Sequence, residues 1–197
     1  DILLGFGNGT NEFRYPYSIA RDQQSGTLYV CDTGNDRIMC YTKGNNTGVL
    51  VAGGNGRGNN INQLNSPMGI YFDSVSNSLI IANAGSHNIV RWRIGEVIDI
   101  NAGNLNASSG NSSSSFSDPF GLTVDPMGNR YVVDRSNTRV QFFLAGQTEG
   151  RTIAGVTGVG GLNSTLLTGP YGTIVDNQLN LYVADGWGHR VQKFLRY

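Results

Sequence analysis

The sequence predicts an all-β protein built from four tandem repeats of about 51 residues each. Two markers define the repeat, and each recurs at intervals of 51 or 52 residues. The first marker is a proline and the second is an Asp or Asn, and they occur at Pro16, Pro67, Pro119 and Pro170 and at Asp32, Asn83, Asp134 and Asp185. Between these markers, apolar residues alternate over runs of four to seven residues that are bounded by Gly, Asn, Asp and Pro. This pattern is typical of short strands and turns.

The third repeat shows the predicted unit most clearly. Its four strands are predicted over 121–125, 131–134, 139–143 and 151–155, with turn sequences between them. A lone meander of four strands leaves an apolar face uncovered, whereas stacked meanders bury those faces. Because β-propellers arrange four-stranded blades around a central channel, the sequence predicts a β-propeller of four such blades.

The whole chain is expected to form one domain, with repeats at approximately 13–63, 64–115, 116–165 and 166–197 plus 1–12. The last repeat ends after its third strand, while residues 1–9 resemble the fourth-strand segment 49–56. We therefore expect the N-terminus to supply the outer strand of the last blade. Three arrangements remain open: the strand closes its own ring, it is donated to a neighbouring chain, or the sequence is a piece of a longer propeller.

The segments that follow each second strand resemble NHL repeats. These segments are Asp32–Ile38, Asn83–Ile89, Asp134–Val140 and Asp185–Val191. The Pro-x-Gly piece and the second-strand sequence that precede them also match the NHL pattern, and the second strand matches it best in Leu181-Tyr182-Val183-Ala184-Asp185. The resemblance covers essentially the whole chain and implies a propeller whose Pro-Gly strand is innermost, in a family whose rings usually have six blades. The second repeat departs from the pattern, since Asn83 and Asn88 replace the Asp and Arg of the other repeats.

The neutral charge argues against some partners, whereas the sequons and a possible disulfide favour an extracellular protein. Fourteen basic residues balance 14 acidic ones, which argues against a nucleic-acid surface, and no apolar run approaches the ~18 residues of a membrane span. Five N-x-Ser/Thr sequons are predicted N-glycosylation sites, at Asn8, Asn45, Asn106, Asn111 and Asn163. Cys31 and Cys40 bracket one hairpin, and a disulfide between them is expected if the strand register allows it.

Two residue sets are candidates for structural and binding roles. The pairs Asp32 and Arg37, Asp134 and Arg139, and Asp185 and Arg190 bracket equivalent turns, so we interpret them as structural ion pairs. The large residues after each proline are candidates for a ligand-facing ring, with packing at the channel mouth or blade interfaces as the alternative. They are Tyr17, Met68, Phe120 and Tyr171.

Catalytic chemistry has little support in the sequence, so we expect no enzyme activity, no bound metal and no cofactor. The two histidines, His87 and His189, share a repeat position with Asp36 and Thr138, which favours a turn hydrogen bond over a metal site. A repeated set of carboxylates precedes turns, where Asp usually caps backbone amides, and comprises Asp22, Asp73, Asp125 and Asp176.

The predicted function is therefore an extracellular interaction or structural module that binds a protein, a glycan or copies of itself, with self-assembly by end-strand exchange. The alternative hypothesis is a Ca²⁺-dependent propeller lyase or hydrolase with a site in the central channel, because several carboxylates near an axis suit Ca²⁺.

Overall fold

The computed structural model describes residues 5–95 and 108–196, and in this part of the chain every extended element is a β-strand. The sequon at Asn106 and the first four residues of the expected N-terminal strand lie outside the described residues. The strands are β1 Gly5–Phe6, β2 Glu12–Phe13, β3 Pro16–Arg21, β4 Leu28–Asp32, β5 Arg37–Tyr41, β6 Val49–Gly53, β7 Pro67–Asp73, β8 Ser78–Asn83, β9 Asn88–Arg93, β10 Pro119–Val124, β11 Arg130–Asp134, β12 Arg139–Phe143, β13 Arg151–Gly155, β14 Pro170–Val175, β15 Leu181–Asp185 and β16 Arg190–Phe194.

Apart from the parallel pair β1-β2, the strands form small antiparallel sheets within two compact units. Among the described residues, the first unit comprises 5–86 and 90–95, and the second comprises 87–89 and 108–196. Sheets β3-β4-β5-β6 and β7-β8-β9 follow one another along the chain, as do sheets β10-β11-β12-β13 and β14-β15-β16. The four strands predicted for the third repeat are confirmed as β10 to β13, with boundaries shifted by a few residues.

The sheets share one strand register because the same residue types recur at the same places. The second and third strands pair Asp32 with Arg37 in the first repeat, and Asp134 with Arg139 in the third. The first strand of each sheet carries an irregularity directly after its proline. Proline cannot donate a ladder hydrogen bond, so the ladder breaks at this point in every repeat.

A short turn, of 3-10 type in the first three repeats, joins the second and third strands, and the residue that ends it has a left-handed backbone. This residue is never glycine, and its φ lies between +52° and +55° at Asp36, His87, Thr138 and His189. L-residues with a side chain rarely adopt that conformation. Its recurrence in four repeats shows that the surrounding contacts impose it.

The core of the first unit lies between the four-stranded sheet β3-β4-β5-β6 and the three-stranded sheet β7-β8-β9. Cys31 and Ile38 of one sheet pack with Ile81 and Trp92 of the other. The inner strands of the second unit approach one another closely, because a Cβ on Gly121 would lie 2.5 Å from the carbonyl oxygen of Tyr171. Gly121 is therefore required for the close contact between β10 and β14.

The outer strand expected from the N-terminus stays a prediction, because its first four residues lie outside the described residues. Gly5–Phe6 pairs in parallel with Glu12–Phe13, which matches the parallel bridges Arg57 to Leu64 and Gly160 to Leu167 in later repeats. Residues 5–9 thus belong to the loop that follows a fourth strand. Within the described part of the chain, the sheet β14-β15-β16 has three strands.

Substituting Gly155 tests the packing of the fourth strand. Gly155 and Gly146 share a φ of +77°, but a Cβ on Gly155 would lie 2.1 Å from the carbonyl oxygen of Thr138, whereas one on Gly146 would meet nothing within 4 Å. We expect Gly155→Ala to lower the free energy of unfolding by about 2–5 kcal/mol and Gly146→Ala by about 1–2 kcal/mol. Urea denaturation of the two variants measures the difference, and equal losses would contradict the steric argument.

Candidate interaction site

A buried carboxylate fixes the turn between the second and third strands. In the third repeat, Asp134 accepts hydrogen bonds from Arg139 Nε and Asn137 Nδ2, both at 2.8 Å, and from the Ser117 N–H at 2.7 Å. Burial raises the pKa of Asp134, while the three hydrogen bonds oppose that rise. The ion pairs predicted in the other repeats form as well, at 2.6 Å between Arg37 and Asp32 and at 3.0 Å between Arg190 and Asp185.

The same arginine also holds the loop that leads into its repeat. The Arg139 guanidinium donates to the carbonyl oxygens of Asn111, Ser112 and Ser115 at 2.9–3.0 Å. Arg37 and Arg190 make equivalent contacts with the loops around Asn8 and around residues 161–166. A single ion pair therefore connects the hairpin, the preceding loop and the start of the first strand.

These loops carry three of the predicted glycosylation sites. Asn8, Asn111 and Asn163 are exposed, as is Asn45 in the turn after β5. Because the arginine binds the backbone of these loops, an exposed asparagine side chain is left accessible for a glycan. Occupancy of the sites stays a prediction.

The predicted disulfide needs correction, because Cys31 and Cys40 are both free. The ladder places Cys31 opposite Ile38 and Cys40 opposite Tyr29, so the cysteines are diagonal neighbours, for which about 7–8 Å is typical. That separation is too long for a disulfide without backbone movement. Cys31 instead donates to the carbonyl oxygen of Pro67 at 2.9 Å. One of the two sequence arguments for an extracellular location is thereby removed.

The predicted ring of large residues is partly packed. Phe120 and Tyr171 meet edge to face at 4.9 Å, and the Arg135 guanidinium lies 4.8 Å from the Phe120 ring centroid and 5.5 Å from that of Tyr171. Arg135 also pairs with Asp118. In the first unit, Tyr17 is exposed and Met68 is half-buried.

Sequence reasoning missed Arg135 because it is specific to one repeat. The equivalent positions hold Thr33, Ala84 and Gly186. No pattern in the sequence links this arginine to Phe120, which lies 15 residues earlier.

The histidine position was expected to make a hydrogen bond within its turn, but His87 and its counterpart Asp36 instead accept a backbone N–H at the start of the next repeat. In the second unit, His87 Nδ1 accepts the N–H of Asp118 at 3.1 Å. In the first unit, Asp36 accepts the N–H of Ser66 at 2.7 Å. Ser66 and Asp118 both precede a proline and both have positive φ, so the two contacts are equivalent.

The repeated carboxylates at the strand ends are engaged in turns. Asp125 accepts two backbone N–H groups at 2.9–3.0 Å and the Asn129 amide at 2.9 Å, and Asp176 makes the same three contacts. Hydrogen bonds, above all from the Asn180 side chain, lower the pKa of Asp176. No group of three His, Cys, Asp or Glu side chains clusters as a metal site within residues 5–95 and 108–196.

One face of the sheet β14-β15-β16 is uncovered. Val191 is 71% exposed, whereas the equivalent residues Ile38, Ile89 and Val140 are 0–1% exposed. Gly172 shows the same contrast, since a Cβ there would meet nothing within 4 Å, unlike one on Gly121. This sheet therefore presents a face that the other sheets bury.

The imidazole of the left-handed residue in this sheet also lacks the bond that its counterparts make. Among the described residues, no backbone N–H donates to the His189 imidazole, although Asp36 and His87 accept such a bond at the same repeat position. The uncovered face thus combines an apolar surface with an acceptor already held in the geometry used elsewhere. A further sheet of the same type would satisfy both.

The described residues include no helix long and apolar enough to cross a membrane.

No family model matches the chain, so the NHL resemblance stays a prediction from the residues. The chain is 28% identical over 222 aligned positions to Protein SUPPRESSOR OF QUENCHING 1, chloroplastic, of Arabidopsis thaliana, with 96% of this chain and 21% of that protein covered. It therefore spans about a fifth of the length of this relative.

Solved structures show that the fold is β-propeller-like. A structural genomics protein of unknown function from Bacteroides thetaiotaomicron matches with a TM-score of 0.76, 18% identity and coverage of 91% of this chain and 47% of that chain. Nidogen in a nidogen/laminin complex matches with a TM-score of 0.64 and 18% identity, and the match covers 91% of this chain and 60% of that chain. Virginiamycin B lyase from Staphylococcus aureus matches with a TM-score of 0.59 and 14% identity, and the match covers 92% of this chain and 55% of that chain. This chain spans about half the length of these proteins.

Removing one partner of a buried ion pair should destabilise the protein strongly. Arg139→Met leaves the Asp134 carboxylate buried and unpaired, and we expect a loss of about 3–5 kcal/mol in the free energy of unfolding. Arg57 pairs with Asp36 at 3.1 Å but is 60% exposed, so Arg57→Met serves as the control and should cost less than about 1 kcal/mol. Similar losses in chemical denaturation would show that burial does not set the strength of these pairs.

The state of the cysteines is tested by their reactivity. Burial raises the pKa of Cys31 to about 12 and also raises the pKa of Cys40. Because the thiolate is the reactive form, we expect Cys31 to resist Ellman's reagent at pH 8 in the folded protein and Cys40 to react slowly. Both thiols should react after unfolding without reductant. Absence of thiols in the unfolded protein would restore the disulfide.

Proposed function

We propose that this chain is an extracellular, N-glycosylated, NHL-type propeller module that acts in protein interaction or as a structural element, and that it assembles with copies of itself. The observation that carries the proposal is the uncovered face of the sheet β14-β15-β16. A residue type that is buried three times in the chain is exposed there at Val191. Exposed apolar patches rimmed by polar residues often mark interaction surfaces.

The first unit offers a complementary surface. On the sheet β3-β4-β5-β6, Tyr17 and Ile19 are 57% and 60% exposed. Tyr15 has the positive φ of Ser66 and Asp118, and within the described residues its N–H has no acceptor. His189 of one copy can therefore receive the N–H of Tyr15 from the next copy, as His87 receives that of Asp118. Such a contact is head-to-tail and supports rings or filaments.

This contact uses sheet faces, and the expected exchange of the N-terminal strand stays a prediction. Of the N-terminal segment, Gly5–Phe6 pairs with β2, and Arg37 binds the carbonyl oxygens of Asn8 and Gly9. Exposed sequons support the extracellular part of the proposal, and nidogen, a propeller-like neighbour, is found in a protein complex. The lyase alternative has a neighbour too, but the carboxylates on which it relied are engaged in turns.

The proposal predicts an assembly that depends on concentration and on Val191. The native chain should show a mass that rises above the 21.2 kDa of one polypeptide plus its glycans as concentration increases in multi-angle light scattering. Val191→Asp places a charge on the apolar face and should keep the protein at the mass of one chain.

Val75→Asp is the matched control, because Val75 is 96% exposed in a turn, and it should assemble as the native chain does. A native mass that stays at one chain over the whole concentration range would overturn the assembly, as would equal losses in the two variants. Circular dichroism verifies that both variants keep their sheets.

A further inference from the structure

The outer edge of β16 borders a groove. Within the described residues no strand pairs with this edge, and beside it lies a space of about 520 Å³ lined by Thr152–Gly155 of β13, Ser164, Thr165 and Lys193–Arg196. An unpaired edge presents a row of backbone N–H and C=O groups. The groove therefore has hydrogen-bonding capacity along one wall and strand β13 along the other.

The chain contains two templates for what fills such a place. In the first repeat β6 pairs with β5, and Arg37 lies opposite Gly53 and Ile38 opposite Ala52. In the third repeat β13 pairs with β12 in the same register, including a shift of one residue at the same point. In both repeats the third strand therefore pairs with the fourth strand in the same register.

Both templates end in Val or Ile followed by Ala and then Gly. The structure explains why Ala and Gly occupy the last two positions. Ala52 and Ala154 are 2% and 3% exposed, so a larger side chain has little room at that position. The glycines have φ of +69° at Gly53 and +77° at Gly155. A Cβ on Gly53 would lie 2.4 Å from the Asp36 carbonyl oxygen, which repeats the close contact at Gly155.

We infer that the edge of β16 binds, by antiparallel strand addition, an extended protein segment that ends in Val or Ile followed by Ala-Gly, with Ala opposite Val191 and Gly opposite Arg190. The glycine is required because its position faces the backbone of His189, the residue equivalent to Asp36 and Thr138. Main-chain hydrogen bonds supply affinity in this mode, and side-chain fit supplies specificity.

The inferred partner differs from the chain's own N-terminus. Residues 1–5 read Asp-Ile-Leu-Leu-Gly, which places Leu where both templates have Ala. The inference rests on the proposed interaction role and gives it a partner chemistry. It concerns the edge of the sheet, whereas self-assembly uses the face that carries Val191.

A peptide with the sequence of residues 151–156, Arg-Thr-Ile-Ala-Gly-Val, tests this inference on the intact glycosylated chain. Fluorescence anisotropy of the labelled peptide should show saturable binding, and hydrogen exchange should slow at Arg190–Phe194 of β16. A peptide with Gly replaced by Ala should bind at least about tenfold more weakly, since the left-handed backbone disfavours a side chain. One with Ala replaced by Leu should also bind more weakly.

A peptide of the same sequence with N-methylated backbone amides is the matched control, because it cannot donate the ladder hydrogen bonds, and it should not bind. Equal binding of the native and Gly-to-Ala peptides, or no binding of either, would overturn the inference. Peptide binding without assembly of the native chain overturns self-assembly alone, and assembly without peptide binding overturns strand addition alone.

Discussion

The buried ion pair between the second and third strands is the interaction on which the repeat depends. Asp134 is fully buried and its partner Arg139 nearly so, and a buried pair is stable only when hydrogen bonds satisfy the remaining donors and acceptors. Here they do, because the carboxylate also binds the start of the first strand and the guanidinium binds the preceding loop. The pair thereby connects elements of the repeat that lie 17–28 residues apart in sequence.

The second repeat shows which part of this arrangement is retained when the charge is lost. Asn83 stands in place of the aspartate, and its Oδ1 accepts the N–H of Asn65 at 2.7 Å, as Asp134 accepts that of Ser117. The backbone bond to the first strand is thus independent of the ion pair. The left-handed residue that follows is also retained, at His87. The hairpin geometry is therefore set by hydrogen bonding to the backbone, and the arginine adds the connection to the loop.

Sequence reasoning succeeds here where a feature recurs and fails where it depends on one neighbour. The strands of the third repeat and the three Asp–Arg pairs are predictable because residue types recur at fixed spacing. The cysteine pairing is not predictable in this way, because it depends on the exact strand register. Cys40 lies two residues beyond Ile38, which faces Cys31, so the two cysteines are diagonal neighbours. The stack of Arg135 on Phe120 is equally invisible, because it involves a residue that occurs in one repeat and an adjacent strand.

The proposed interaction surface could not be predicted from the repeat pattern alone. Val140 and Val191 are the same residue at the same repeat position, yet one is buried and the other is exposed. The exposure of Val191 is therefore set by whether another sheet packs against it. The amino-acid sequence around Val191 does not indicate this. The pattern of the buried copies nevertheless defines what fits the exposed one: an apolar face, an N–H for His189 and, at the edge, a strand ending in Ala-Gly. In a repeat protein, the contacts inside the molecule thus specify the chemistry of the partner at its ends.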